Sequence, residues 1–281
     1  MPQRSVLITG CSSGIGRCLA DGLKARGYRV FATARKSADV AVLAAAGFES
    51  VALDLTSSDS IHSAVDNVLQ RSGNSLYALI NNAGYGQPGA LEDVTRGALR
   101  AQFETNVFGP HELTARLLPV FRAHHGGRIV QISSLLGIVC LAYRGAYSAS
   151  KFAMEALSDT LRLELRGTGI YVSLIEPGPI ATRFRDNAQA AYEAHIDLTR
   201  SAHRAQYTSM ARRLRGETAP AAFTRPPSAV LEKVVRALKS RRPQPRYRVT
   251  VPSHAFALLC RVLPDRALDR LLAIVSQDGA R

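Results

Sequence analysis

The sequence predicts an α/β fold in which a doubly wound, mostly parallel sheet of about seven strands lies between helices in three layers. Short runs rich in Val, Ile, Leu and Ala recur along the chain, and segments with helical spacing of apolar residues separate them. Near-continuous apolar runs suit strands that helices cover on both faces. Strands that alternate with helices at this cadence indicate parallel pairing. The predicted strands are residues 5–10, 28–34, 49–55, 76–84, 127–134, 170–178 and 246–251.

Two segments depart from this alternation. Residues 183–227 are polar, Arg-rich and helix-prone, and they are interpreted as a helical substrate lid over the sheet. A helix at about 228–240 then returns the chain to the core. Residues 252–281 form a basic amphipathic extension with helical spacing that a proline interrupts. We therefore expect one domain over residues 1–281 with these two appendages, because α/β domains often reach this length.

The composition favours a cytoplasmic globular protein. Hydrophobic residues make up 46% and charged residues 21% of the chain, which is an ordinary balance. The N-terminal residues MPQRS lead directly into an apolar strand, without the regions of a signal peptide, and the apolar runs are too short to span a bilayer. The four cysteines, Cys11, Cys18, Cys140 and Cys260, show no CxxC or metal-ligand spacing, so reduced thiols and no metal site are expected.

The formal net charge of +14 is concentrated in the C-terminal part. Residues 1–199 contain 19 Lys and Arg against 17 Asp and Glu, whereas residues 200–281 contain 17 against 5. No nucleic-acid-binding motif accompanies this excess, and its helices carry few aromatic residues that could stack on bases. Nucleic acid is therefore not an expected partner.

The basic tail has more than one interpretation. Arg261, Arg266 and Arg270 lie among leucines at helical spacing, so the segment could contact an anionic membrane surface or attract an acidic substrate. A helix that packs on the protein's own core or on a partner subunit is the plainer alternative.

The first predicted strand ends in a glycine-rich turn, TGCSSGIG, that leads into a helix. Gly10 permits a sharp turn, while Gly14 and Gly16 let the backbone approach a pyrophosphate at the helix N-terminus. Free amide donors and the helix dipole favour an anion there. A plain strand-to-helix turn needs only one glycine, so the three together indicate dinucleotide binding.

The end of the second strand indicates which dinucleotide is bound. Folds that select the unphosphorylated ribose place Asp or Glu there, whereas this sequence has Arg35 followed by Lys36. A guanidinium can bind a 2′-phosphate through two parallel hydrogen bonds. NADP(H) is therefore predicted in preference to NAD(H). Basic residues that open a solvated loop are the alternative, which suits Lys36 better than Arg35.

Polar residues follow the next three strands. Asp54 ends the third strand, where it could accept from the adenine amino group or cap the following helix, for which Thr56 is a second candidate. The fourth strand ends in NNAG at 81–84, an unusual place for two amides unless they line a site. Ser133 and Ser134 end the fifth strand.

The segment YSASK at 147–151 begins shortly after those serines. On a helix, residues four apart share a face, so the ammonium of Lys151 could approach the phenol of Tyr147. Chance produces this spacing often, so the pair indicates chemistry only together with the other motifs.

Together these motifs resemble those of the short-chain dehydrogenase/reductases. They occur in that family's order and at its intervals over about residues 4–182. The segments FATAR, YSASKFAMEALSDTLRLEL and PRYRV also resemble its branch of 17β-hydroxysteroid and retinol dehydrogenases. The resemblance implies a Rossmann-type fold and an NADP(H)-dependent oxidoreductase acting on CH–OH groups. The matching motifs are Thr9-Gly10-x-x-x-Gly14-x-Gly16, Asn81-Asn82-Ala83-Gly84, the set of Ser134, Tyr147 and Lys151, and Pro177-Gly178.

The resemblance also implies the site residues. The family's serine lies thirteen residues before its tyrosine, which selects Ser134, and the segment FETNVFG supplies Asn106 as a fourth catalytic position beside Tyr147 and Lys151. An amide bonded to backbone is the alternative for Asn106, and a helix N-cap is the alternative for Thr182. The implied cofactor-binding residues are Gly10, Ser12, Ser13, Gly14, Ile15, Gly16, Arg35, Asp54, Leu55, Asn82, Ala83, Gly84, Asn106, Tyr147, Lys151, Pro177, Gly178, Ile180 and Thr182.

The implied chemistry is proton transfer by Tyr147. A free tyrosine has a pKa of about 10, and the cation of Lys151 would favour its phenolate. Tyr147 would take the hydroxyl proton of a secondary alcohol in oxidation and return it in reduction, while Ser134 hydrogen-bonds the substrate oxygen. The resemblance further implies that Lys151 holds the nicotinamide ribose and that Asn106 positions a water beside it.

The substrate is the least determined feature. Five apolar residues could cover a lipophilic alcohol or ketone, such as a steroid, retinoid or fatty compound, although residues at helical spacing more often serve ordinary packing. An enzyme for a non-lipid carbonyl substrate and a non-catalytic NADPH-binding sensor are the alternatives. The resemblance implies a homodimer or homotetramer through helices around 98–122 and 147–166. The five lid residues are Phe184, Tyr192, Ile196, Tyr207 and Met210.

Overall fold

A computed structural model describes residues 3–217 and 221–278 and confirms the predicted α/β architecture. One sheet of seven parallel strands has the order β3-β2-β1-β4-β5-β6-β7. The strands are β1 (Ser5–Ile8), β2 (Arg29–Ala34), β3 (Glu49–Ala52), β4 (Ala78–Asn81), β5 (Gly127–Ile132), β6 (Ile170–Glu176) and β7 (Arg246–Arg248). The helices up to β6 are α1 (Gly14–Lys24), α2 (Ser37–Ala45), α3 (Ser58–Ser72), α4 (Arg96–Phe103), α5 (Gly109–Ala123) and α6 (Gly145–Glu164). After β6 come α7 (Phe184–His195), α8 (Arg204–Leu214), α9 (Ser228–Lys239), α10 (Val251–Val262) and α11 (Asp265–Asp278).

Two apolar cores lie on opposite faces of the sheet. In β1, Val6 and Ile8 belong to the core that also contains residues of α1 and α9, while Leu7 belongs to the core that contains residues of α3 and α5. All three side chains are fully buried. Alternate residues of a strand therefore face different helical layers, which explains why the strands read as continuous apolar runs.

The winding of the sheet reverses between β1 and β4. The chain runs outwards from β1 to β3 and then crosses to β4 on the other side of β1. A Cβ on Gly10, after β1, would lie only 2.8 Å from the Cα of Ala83, after β4. In such sheets the crevice beyond the carboxyl ends at this reversal is where ligands bind.

Several strands end earlier than the sequence predicts. The third strand ends at Ala52 rather than at residue 55, and β7 ends at Arg248 rather than at residue 251. The reason at β7 is helix capping, because the side chain of Thr250 accepts from the N–H of Ser253 and so starts α10.

The segment interpreted as a lid contains α7 and α8 between β6 and α9. Its two ends are joined at the base. The N–H of Ala181 donates to the carbonyl of Arg225 at 2.9 Å, and the N–H of Arg225 donates to the carbonyl of Pro179 at 3.0 Å. This segment therefore leaves and rejoins the core at one place.

The C-terminal segment forms two helices, α10 and α11, with Pro264 between them. Val251, Leu258, Val262 and Ile274 expose more than half of their surface. Among the described residues, no helix has the length and apolar character required to cross a membrane. All four cysteines are free.

Candidate active site

The turn after β1 forms a glycine-lined cradle. Gly10 and Gly14 have φ angles of 72° and 58°, a region that favours glycine. A Cβ on Gly16 would lie 2.0 Å from the carbonyl oxygen of Gly10, so no larger residue fits there. In the described chain, the N-cap residue Ser13 makes no side-chain capping bond, which leaves the first amides of α1 available. The cradle therefore fits the pyrophosphate of a dinucleotide.

Thr9 and Asn82 fasten the ends of β1 and β4 together. The Thr9 hydroxyl accepts from the backbone N–H groups of Asn82 and Ala83, each at 2.9 Å. The side-chain amide of Asn82 donates to the carbonyls of Thr9 at 2.9 Å and Gly10 at 3.1 Å. Asn82 thus shapes the glycine turn through its side chain.

The basic residues after β2 are exposed. Arg35 and Lys36 both lie on the surface beyond the strand end. Burial raises the pKa of the Tyr85 phenol, and the charge of Arg35 partly offsets that rise. Since Tyr85 directly follows the NNAG segment, the guanidinium of Arg35 lies on the side of the predicted cofactor crevice.

The predicted caps of α3 are wrong. The carboxylate of Asp54 accepts from the N–H of Thr56 at 2.9 Å and from its hydroxyl at 2.8 Å, which forms a local turn. The N-cap is Ser57, whose hydroxyl accepts from the N–H of Ser60. The chain continues past Asp54 before the helix starts, because Leu55 is buried.

Asn106 is fully buried in a π-helical turn, Glu104–Phe108, between α4 and α5. Its side-chain oxygen accepts from the N–H of Tyr85 at 3.2 Å, and its amide donates to the Tyr85 carbonyl at 2.9 Å. The amide also donates to the Ser150 hydroxyl at 3.1 Å. Ser150 in turn donates to the carbonyl of Tyr147 at 2.7 Å. Asn106 therefore has the backbone partner of the alternative interpretation and a link to α6, and such π turns often occur at functional sites.

Ser134, Tyr147 and Lys151 come together beyond the carboxyl end of β5. Ser134 follows the strand and begins a 3₁₀ turn. Tyr147 lies in the first turn of α6 and is 9% exposed, with the Ser134 hydroxyl within hydrogen-bonding reach. The ammonium of Lys151 lies 5.8 Å from the centroid of the Tyr147 ring and donates to the carbonyl of Ile132 at 2.8 Å. Ser133 instead places its hydroxyl against Glu155.

Burial controls the ionisation of this pair. It raises the pKa of Tyr147 to about 12, and the hydrogen bond with Ser134 partly offsets the rise. It lowers the pKa of Lys151 to about 8, against the opposing charge of Glu155. The expected lowering of the tyrosine pKa by Lys151 is not found among the protein's own groups, because the ammonium bonds to the Ile132 carbonyl instead. At neutral pH the phenol keeps its proton and the lysine keeps its charge.

A buried ion network behind this pair was not predicted. Glu155, one turn after Lys151, and Glu176, at the end of β6, are both buried. Arg246 on β7 lies 3.0 Å from Glu155 and 3.1 Å from Glu176, and Arg248 lies 3.2 Å from Glu176. The alternating arginines of the segment RYR are the sequence feature that could have indicated it, because they share one face of an edge strand.

The turn after β6 borders the same crevice. The carbonyl of Pro177 accepts from the N–H of Leu135 at 2.7 Å, which joins the ends of β5 and β6. A Cβ on Gly178 would lie 2.2 Å from the hydroxyl of Thr250, so glycine is required by close approach. Ile180 packs against the core.

Thr182 connects this turn to the glycine cradle. A Cβ on Gly14 would lie 3.2 Å from the Cβ of Thr182. The Thr182 hydroxyl accepts from the N–H of Phe184 at 3.3 Å, but the N-cap position of α7 is Arg183. The alternative role of Thr182 as the cap is therefore wrong by one residue, since the helix begins later.

Phe184 is the lid residue that meets the candidate site. Its ring contacts that of Tyr147, with centroids 5.4 Å apart and planes tilted by 61°, and it is 39% exposed. Tyr192, Tyr207 and Met210 are buried in an apolar cluster that also contains Ala90, and Ile196 packs against it. For those four residues the packing alternative is confirmed.

The chain is similar to known dehydrogenases over most of its length. The family model described as short chain dehydrogenase matches residues 4–193. An uncharacterized oxidoreductase of Escherichia coli K12, YbbO, is 46% identical over 270 residues, which cover 96% of this chain and 94% of that protein. The 17-beta-hydroxysteroid dehydrogenase type 6 of Rattus norvegicus is 34% identical over 291 residues, which cover 99% of this chain and 90% of that protein.

A solved structure has the same fold. The short-chain dehydrogenase of Streptomyces avermitilis matches with a TM-score of 0.75 and 30% sequence identity, covering 99% of this chain and 96% of that chain. Similarity therefore extends through the lid and the C-terminal helices. The chain belongs to the short-chain dehydrogenase/reductase family of NAD(P)-binding oxidoreductases, and it resembles that family's 17β-hydroxysteroid and retinol dehydrogenase branch.

Proposed function

We propose that this chain is an NADP(H)-dependent oxidoreductase that interconverts a secondary alcohol and a ketone, or an alcohol and an aldehyde, on a lipophilic substrate. The observation that carries the proposal is the buried Tyr147 phenol, with the Ser134 hydroxyl in reach and the Lys151 ammonium one turn away. A sensor has no need of a buried proton donor beside a dinucleotide cradle. The exposed apolar ring of Phe184 above that donor supports a lipophilic substrate.

In the reducing direction, Tyr147 donates its proton to the carbonyl oxygen of the substrate. Because burial raises its pKa to about 12, the phenol is protonated at neutral pH and can act as a general acid. The Ser134 hydroxyl donates a hydrogen bond to the same oxygen and stabilises the charge that develops on it. Lys151 keeps its charge below a pKa of about 8.

Other residues hold the cofactor and the catalytic helix. The glycine cradle would bind the pyrophosphate, Lys151 the nicotinamide ribose, and the turn around Pro177 and Thr182 the nicotinamide end. When bound, the cofactor supplies the hydride for reduction or accepts it in oxidation. Asn106 fixes the first turn of α6 through Ser150, so its proposed role in catalysis is positional.

An assay of NADPH consumption tests this function. The purified protein is incubated with NADPH and a panel of steroid, retinoid, fatty, aromatic and small polar carbonyl compounds, and the alcohol product is quantified. We expect turnover of the lipophilic compounds with one alcohol formed per NADPH consumed. Tight NADPH binding without turnover of any compound would indicate a sensor instead. Turnover restricted to small polar carbonyls would contradict the lipophilic substrate alone.

Replacement of Arg35 by Leu, together with Ala34→Asp, is expected to move cofactor preference toward NAD(H). The change removes the proposed guanidinium partner of the 2′-phosphate and offers a carboxylate to the ribose hydroxyls. The measurement is the ratio of kcat/KM for NADPH to that for NADH. The single variant Lys36→Leu is the matched control and should change the ratio less. An unchanged ratio in the double variant would contradict the phosphate role of Arg35.

We propose that the protein forms a homodimer or homotetramer through α4, α5 and α6. Apolar side chains on and between these helices are exposed, which suits an interface. Light scattering that gives the mass of a monomer would contradict this proposal. The exposed residues are Leu99, Phe108, Phe152, Leu157 and Leu163.

A cytoplasmic location with peripheral membrane contact through residues 252–281 is also proposed. The exposed Leu258, Val262 and Ile274 accompany arginines on α10 and α11, as on helices that lie at an anionic membrane surface. Flotation with anionic liposomes is expected to recover the full chain and to lose the variant without residues 253–281. Equal recovery of the full chain and the shortened variant would support the alternative, in which these helices pack against a partner subunit.

A further inference from the structure

Three arginines, one just before α6 and one each on α7 and α8, converge near the proposed proton donor. Arg144 directly precedes α6, Arg185 lies in the first turn of α7, and Arg213 lies in the last turn of α8. All three are partly buried. Burial, together with the charges of Arg213 and Arg185, lowers the pKa of Arg144 to about 10. Arg144 contacts Met210, one turn before Arg213 on α8. Arg185 follows Phe184, whose ring contacts Tyr147. The three side chains, termed the arginine cluster, therefore lie near one another.

Arg144 has no charged acceptor in the described part of the chain. Its guanidinium donates at 3.4 Å to the backbone carbonyl of Tyr143 and at 3.4 Å to the thioether of Met210, a weak acceptor. Neither Arg144 nor Arg185 forms an ion pair with any described carboxylate. A partly buried guanidinium without a charged partner, such as that of Arg144, disfavours the folded state unless an anion compensates it.

The arginine cluster lies at the end of Tyr147 that is away from Lys151. Along α6, Arg144 precedes Tyr147 by about 4.5 Å and Lys151 follows it by about 6 Å. Lys151 belongs to the cofactor side in the proposed function, so the Arg144 side is left for the substrate. Phe184, whose ring contacts Tyr147, directly precedes Arg185. Arg35 follows β2, which β1 and β4 separate from β5, so the cluster is distinct from the proposed 2′-phosphate site.

We propose that the arginine cluster binds an anionic group of the substrate: a carboxylate, phosphate or sulfonate on the same molecule as the carbonyl or hydroxyl that Tyr147 serves. This inference rests on the proposed function and specifies its substrate class as lipophilic compounds with an acidic head group. Guanidinium groups bind such oxyanions through paired, charge-assisted hydrogen bonds. One bound anion would also compensate the charge of Arg144.

Binding of octyl compounds to the full chain tests the subsite without any turnover. Nonanoate, octanesulfonate and octyl phosphate share one eight-carbon tail and differ in the anion, and 1-octanol is the uncharged control. Calorimetry is expected to show tighter binding of at least one anion than of octanol, with an affinity that falls as salt is added. Arg144→Gln and Arg185→Gln should each weaken anion binding by about tenfold or more and leave octanol unaffected. Equal affinity for octanol, or no anion binding, would overturn the proposal.

Arg212→Gln is the matched control. Arg212 lies on the same helix as Arg213, is exposed, and is 3.7 Å from Glu217, so the variant has the same change in charge outside the cluster. It should leave anion binding unchanged, and equal weakening would indicate a general field effect and contradict a site. Arg144→Gln should keep or raise the melting temperature, since it removes a repelled charge. A clear drop would indicate a structural role for Arg144 instead.

Turnover separates failure of the subsite from failure of the proposed function. A series of keto acids of increasing chain length is compared with the methyl esters of the same acids. We expect kcat/KM to favour an acid by about tenfold or more over its ester, and Arg144→Gln to bring the ratio of the two values close to one. Equal turnover of acids and esters would contradict the proposed anion subsite but support the proposed oxidoreductase function. Anion binding that depends on Arg144, without turnover of any ketone, would contradict the proposed oxidoreductase function but support the proposed anion subsite.

Discussion

Replacement of Tyr147 by phenylalanine is expected to lower kcat by about a hundredfold to ten-thousandfold, the usual contribution of a positioned general acid. The substitution deletes one hydroxyl and keeps the ring that contacts Phe184 at 5.4 Å. Ser134 remains, but the pKa of an aliphatic hydroxyl is too high to replace the phenol as proton donor. NADPH binding, measured by fluorescence titration, should change little, because the glycine cradle is untouched.

Tyr171→Phe provides the matched control for this result. It also deletes one phenolic hydroxyl, but Tyr171 lies near the amino-terminal end of β6, at the edge of the sheet opposite the candidate site. Its kcat should equal that of the unmodified protein. Substantial turnover by Tyr147→Phe, with normal folding by circular dichroism, would contradict the assignment of Tyr147.

The sheet could be predicted because each of its strands satisfies a local pattern. Runs such as VLI in β1 are buried on both faces of the sheet, so every residue of the run is apolar. Strand ends were less predictable. Thr250, which extends a β-rich run in the sequence, instead caps α10 by accepting from the N–H of Ser253.

The candidate site could be predicted at positions where close packing of the backbone allows only one residue type. Gly16 is required because its backbone approaches the carbonyl of Gly10, and that need is visible as a glycine at a fixed spacing. The pKa of Tyr147 could not be predicted in the same way. It depends on burial and on the direction of the Lys151 ammonium, which the Ile132 carbonyl fixes.

Features that depend on several distant elements were missed. Arg144 looks like an ordinary residue before a helix, and its environment arises only when α7 and α8 fold over it. Glu155 occupies a helix position that could equally face solvent. Its burial follows from the place of β7 at the edge of the sheet, which brings Arg246 against α6.

Replacement of Arg246 by methionine is expected to lower the free energy of unfolding by about 3–5 kcal/mol above neutral pH, as when one partner of a buried ion pair is removed. Arg246 lies within 3.1 Å of Glu155, Glu176 and Asp159. Glu176 is fully buried and Glu155 is 6% exposed. Methionine fills a similar volume but leaves both carboxylates without this cation, although Arg248 still contacts Glu176. Urea unfolding followed by circular dichroism measures the change.

The effect of this substitution should depend on pH in a definite direction. Burial raises the pKa of Glu155 from 4.5 to about 7, and Ser133 and Arg246 act against that rise. Between pH 4.5 and about 7, Glu155 keeps its proton in the folded protein but loses it in the unfolded chain. The contribution of Glu155 to the free energy of unfolding therefore falls as pH rises through this window. Loss of Arg246 raises the pKa of Glu155 further. Since a protonated carboxyl needs no cation, the destabilisation should shrink as pH falls from above 7 toward 4.5.

Arg162→Met is the matched control, because it removes the same charge from an ion pair that is more exposed. Arg162 contacts Asp159 at 3.0 Å, as Arg246 does from the other side, but about a third of each side chain is exposed. Its loss should cost at most about 1 kcal/mol, with little change across the same pH window, because water screens the pair. If Arg246→Met were no more destabilising than Arg162→Met, or if its effect were the same at both ends of the window, the buried carboxylates would not depend on Arg246. The larger and pH-dependent loss would instead show that the guanidinium of Arg246 joins the end of β6 to the helix that carries Tyr147.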